Sequence, residues 1–189
     1  METPVVVALI AGAVTAVGWM ANHIFAGRQE RAKQKKEASL KHVERQLEEL
    51  SGPLAFLMYE GRRTFLDLLD TLGRDYVFKE GEPLLEDELR TWLFWAEYSL
   101  IPKNEKIKNL LMSKTHLIEG PRFPESYVAF LDHHNSWAVK HERWKQEQVE
   151  YSWQSKIGWP ESFEKEVIST FESLKAKHAA LLGELTYGK

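Results

Sequence analysis

Cysteine is absent from the 189 residues, so the fold needs no disulfide and offers neither a thiolate zinc site nor a cysteine nucleophile. That composition suits a reducing compartment. No lysine or arginine precedes Arg28, which leaves the terminal amine as the only positive charge ahead of the first apolar run and argues against a cleaved secretory signal. The G-x-S-x-G elbow, the Walker A loop and the G-x-G-x-x-G fingerprint are all missing, which excludes three common catalytic and nucleotide-binding designs. No stretch keeps a period-2 apolar alternation or sets a hairpin turn between β-branched runs, so the chain reads as all-α. Excess positive charge is lacking as well. The formal net charge is −3, and no nucleic-acid partner is expected of so balanced a chain. No cofactor is expected.

What is present begins with Pro4 to Ala26, a stretch without a charged residue whose only polar side chains are Thr15, Asn22, His23 and the Trp19 indole. At about 1.5 Å per residue it is long enough to cross the roughly 30 Å hydrocarbon core of a bilayer as a helix. Arg28, Arg31, Lys33, Lys35 and Lys36 follow at once, and positive charge on that side keeps it in the cytosol. The expectation is a single-pass anchor over residues 1–27, amino terminus outside, with the lipid bilayer as partner. A basic juxtamembrane and heptad helix follows over 28–52, and a cytosolic helical domain over 53–189. The five basic residues serve as the positive-inside flank or, further, hold anionic head groups at the membrane surface. Ala8, Gly12 and Ala16 recur at four-residue spacing, which permits close approach of two anchors and a homo-oligomer; the alternative is a monomeric tether.

Pro4, Pro53, Pro83, Pro102, Pro124 and Pro160 each stand just before a stretch of helical apolar spacing, with Gly52, Gly73, Gly81, Gly120 and Gly158 in the gaps. Proline suits a first helical turn and glycine a helix end, so a bundle of about five to six helices is expected. Leu40, Val43, Leu47 and Leu50 keep a 3-4 spacing, the seam of a short coiled coil or a face packed on the domain's own next helix. The stretch from Pro53 to Leu72 carries Leu54, Leu57, Met58, Phe65, Leu68, Leu69 and Leu72 on one side, interrupted by Arg62 and Arg63. Trp92 to Ile101 is apolar nearly all round and reads as a buried central helix, with Glu97 inside it. Asn104 reads as the cap of the next helix. Tyr127, Phe130, Leu131, His134, Trp137, His141 and Trp144 form one stripe farther on.

His134 and His141 share that stripe two turns apart, a rise of about 10 Å, too far for one metal ion; no metal site is expected. They are either core residues or, with Glu97, candidates for a catalytic or sensing site. Two kinds of function follow. One is a membrane-anchored cytosolic helical-bundle module, not an enzyme, that binds a protein partner or itself. The alternative is a membrane-tethered enzyme or ligand sensor with a pocket near Glu97, His134 and His141, joined by Arg62 or Arg63, or an oligomerising membrane effector.

Overall fold

The computed structural model describes residues 3–79, 82, 84–149 and 158–187, with backbone alone for 3–15 and 21. Among the described residues there is no strand, only an isolated bridge between Lys79 and Glu82. The α-helices are α1 (Thr3–Gln46), α2 (Gly52–Leu72), α3 (Glu86–Trp95), α4 (Ile101–Ser113), α5 (Glu125–Glu147) and α6 (Glu161–Tyr187). The all-α expectation holds. The chain forms two compact units, Met1–Val43 with Lys177–Lys189, and Glu44–Ala176.

Pro124 and Pro160 stand directly ahead of α5 and α6 as their spacing suggests, but Pro53 and Pro102 do not begin separate helices. A π-helical turn, Leu47–Ser51, leads directly into α2, and a second, Ala96–Leu100, leads from α3 into α4. Proline lacks an N–H and its ring crowds the carbonyl four residues back. In each π turn the bond just ahead of the proline reaches one residue further: Gly52 N–H donates to the Leu47 carbonyl, and Ile101 N–H to that of Ala96. The helix therefore runs past Pro53 and Pro102 instead of starting there. Asn104, expected as a cap, lies buried inside α4.

The second π turn also corrects a register. From Trp92 the inward residues are Ala96, Leu100, Asn104, Ile107 and Leu111, a path one residue longer than five turns of α-helix at 3.6 residues per turn. The wide turn absorbs the extra residue, so both halves face the same way. The first π turn imposes its own demand. A Cβ on Gly52 would stand 2.6 Å from the Leu47 carbonyl oxygen, so only glycine fits. Gly73, at φ 64°, closes α2 in the left-handed conformation, its N–H bonded to the Asp70 carbonyl and that of Arg74 to Leu69.

Within the unit Glu44–Ala176 the core has two parts. Leu54, Met58, Ile107, Leu111, Phe130 and Phe163 belong to one cluster, joining α2, α4, α5 and α6. Leu68, Val77, Trp92, Ala96 and Trp137 form the other. Of the heptad seam, Leu50 packs in the first cluster and Leu47 is half-buried; Val43, buried, and Leu40, half-buried, belong to the other unit. The aromatic stripe of α5 is buried as its periodicity requires, through Tyr127, Phe130, His134, Trp137 and His141. The run from Trp92 to Ile101 differs from expectation. Only Trp92 and Ala96 are buried, while Phe94 and Tyr98 are 62% and 68% exposed with ring centroids 5.0 Å apart. It covers the core from one side and is not surrounded by it.

In the other unit, Lys36 is paired with Glu184 at 2.8 Å, and Arg28, Arg31, Lys33 and Lys35 are exposed. Among the described residues no helix is long and apolar enough to cross a membrane. Most of the run from Pro4 to Ala26 carries side chains outside the described residues, as do Ala8 and Gly12; Ala16 is exposed.

Candidate ligand cavity

A cavity of about 570 Å³ opens in the unit Glu44–Ala176, where residues of the two core clusters meet. That is the size of an ordinary small-molecule site. One face of α2 supplies Leu57, Met58, Gly61, Arg62 and Phe65, positions spaced so that they share a side of the helix. Opposite them α4 brings Lys103, Asn104 and Ile107, and α5 brings His133 and Trp137. Trp92, Leu100 and Phe78 line a further part, with Gly158, Trp159 and Glu164 completing the wall.

The aromatic part of the wall is internally organised. Trp92 stacks on Trp137 with centroids 5.5 Å apart, and Phe78 meets Trp92 edge-on at 4.9 Å. His133 is set between Trp137 and Trp159, at 5.8 and 5.6 Å. Such offset and edge contacts fix ring positions, so this side of the cavity is preformed. Phe65, by contrast, is 40% exposed although it continues the apolar face of α2. The face goes uncovered there because it looks into the cavity.

Polar groups converge from four helices. Arg62, largely exposed, reaches Glu164 at 3.7 Å, and the Trp159 indole N–H donates to the same carboxylate at 3.2 Å. Lys103 is different: its side chain is only 10% exposed. Its stem crosses the bare backbone of Gly61, where a Cβ would touch the lysine Cδ at 3.6 Å. The ammonium donates to Thr64 Oγ1 at 2.6 Å and lies 3.8 Å from the Glu60 carboxylate. Burial holds its pKa below the ordinary lysine value, with the nearby Glu60 charge opposing.

The residues singled out from sequence are placed elsewhere. Glu97 is ion-paired with Lys145 of α5. His141 is buried against Trp144, and desolvation holds its pKa below 6.5 while the charge of Glu97 pulls it back up. Glu97 and His141 are therefore within electrostatic reach of each other. His134 lies apart from them, its Nε2 2.8 Å from Glu105 Oε2 and its ring stacked on Phe130. The bond to His134 holds the Glu105 carboxyl below its usual range. None of Glu97, His134 and His141 is among the lining residues, nor is Arg63, which is exposed. Among the described residues no three His, Asp or Glu side chains stand close enough to hold a metal ion.

Of the sequence candidates only Arg62 lines the cavity; Lys103, Asn104, His133, Trp159 and Glu164 were not singled out for it. A signal existed. Gly61-Arg62 interrupts the apolar face of α2, and Lys103-Asn104 interrupts the apolar face of α4. Two polar interruptions on facing stripes mark a gap in a core. No protein family, characterised protein or solved structure matches this chain.

Proposed function

We propose that this chain is a membrane-held binding module: a single-pass anchor with its amino terminus outside, and a cytosolic helical domain that takes a small apolar molecule into the cavity between α2, α4 and α5. The cavity carries this reading, because a preformed aromatic wall with a few convergent polar groups is what small-molecule sites share. The anchor is supported by the uncharged run Pro4 to Ala26 and the basic residues after it. Support comes too from Val17, Trp19, Met20, Ile24 and Phe25, exposed on all sides of α1, a distribution that suits lipid and not water. Sensing or carrying a ligand replaces the pocket expected near Glu97, His134 and His141, since those groups do not line the space.

The test is a titration of the full-length chain, held in lipid nanodiscs, with the apolar anion 1-anilinonaphthalene-8-sulfonate. One saturable site per chain is expected, excited by energy transfer from the wall tryptophans. Gly61→Phe, whose ring enters the cavity, is expected to abolish that site with helical circular dichroism unchanged. Binding that never saturates, or that survives Gly61→Phe, defeats the reading.

A further inference from the structure

We propose that the ligand of this cavity is an apolar anion, a carboxylate or phosphate on a hydrocarbon or aromatic body, whose head is received by Lys103 and Asn104. The inference rests on the cavity being a ligand site and adds the chemical class of what enters it.

Lys103 is the group that calls for an explanation. An ammonium buried to this degree is costly unless its charge is paired and its three N–H bonds are taken. Thr64 accepts one of those bonds, but a hydroxyl carries no charge. Glu60 is 3.8 Å away with its own side chain 46% exposed, so much of its field is spent in water. Burial remains the leading influence on the lysine. The local compensation is therefore incomplete. Among the described residues one carboxylate lines the cavity, and it offers no help, because Glu164 is engaged by Arg62 and Trp159.

Asn104, the next residue, lines the same space and is only 6% exposed. A buried primary amide has two N–H donors to satisfy. The anionic head that Lys103 calls for is given this amide as a second donor lining the same space. A cationic head would meet Lys103 and Arg62 with like charge, and a neutral one would leave the ammonium as poorly paired as before. Leu57, Met58, Phe65, Phe78 and Ile107 give the wall a broad apolar part, which suits a hydrocarbon or aromatic body. An anionic head on an apolar body fits both regions.

The experiment uses the full-length chain with Trp19→Phe in phosphatidylcholine nanodiscs, so that the remaining tryptophans report from outside the proposed anchor. Bromine quenching of their emission is measured with 11-bromoundecanoate, 11-bromoundecyl phosphate and 11-bromo-1-undecanol, each corrected with empty discs. At least one anion is expected to bind roughly ten- to a hundredfold more tightly than the alcohol, the worth of a charge-assisted hydrogen bond. Which anion does so separates a carboxylate from a phosphate ligand. Lys103→Met is expected to erase this preference while leaving alcohol binding and thermal stability intact; Lys103→Arg is expected to keep it. Should Lys103→Met fail to fold, Asn104→Leu is read instead, with part of the preference lost. Equal binding of the alcohol and both anions, or a preference unchanged in these variants, overturns the anionic head and leaves the cavity standing. No quenching by any of the three overturns the cavity reading itself.

Discussion

His141 shows how a single buried side chain sets a property of the whole domain. Its surroundings favour the neutral ring, with burial outweighing the pull of Glu97. The unfolded chain takes up a proton near the ordinary value of 6.5, whereas the folded chain resists it to lower pH. A group whose pKa is depressed by folding contributes stability above its unfolded pKa, and that contribution is lost as pH falls through the folded value. Denaturant midpoints are therefore expected to decline as pH drops below about 6.5. His141→Leu is expected to flatten that part of the profile; an equally steep decline in the variant would show that another group is responsible. His134 was as conspicuous in the sequence, but its ring is held by Glu105 and Phe130. Neither histidine faces the cavity wall, although neighbouring His133 does. Periodicity located the buried stripe of α5 without distinguishing residues that fill a core from one that borders a space.

At the scale of elements, the two π turns mark the limit of what spacing reveals. Reading helices from apolar periodicity succeeded for α2 and α5, whose faces follow 3.6 residues per turn. It failed at Pro53 and Pro102, because a π turn lets a helix pass a proline that would otherwise end it. Asn104 was misplaced for the same reason, as a cap in place of a buried wall residue. The turn at Leu47–Ser51 also inverts an ordinary expectation about glycine. In a regular helix Gly→Ala stabilises by about 1 kcal/mol. At Gly52 the added methyl meets the Leu47 carbonyl at 2.6 Å. Gly52→Ala is therefore expected to destabilise the domain, by roughly 1–3 kcal/mol as overpacking does, measured by urea denaturation. A stabilised variant would mean that no π turn forms there.

For the whole molecule, the sequence announced an anchor more clearly than a binding site, since an uncharged run needs no partner to be recognised. The cavity depends on residues from Leu57 to Glu164, a convergence that only the packing of five helices creates. The anchor is tested by alkaline carbonate extraction of membranes: the full-length chain is expected in the pellet and a chain lacking residues 1–27 in the supernatant. Recovery of the full-length chain in the supernatant would remove the anchor. The occupancy of the cavity has a more direct reporter. Met58 lines it, while Met112 is 70% exposed on α4 and does not. In the full-length chain labelled with ¹³C at its methionine methyl groups, saturating 1-anilinonaphthalene-8-sulfonate is expected to move the Met58 resonance through the ring current of the bound naphthalene and to leave Met112 where it was. A Met58 resonance that stays fixed while the probe binds would contradict a ligand site between α2, α4 and α5.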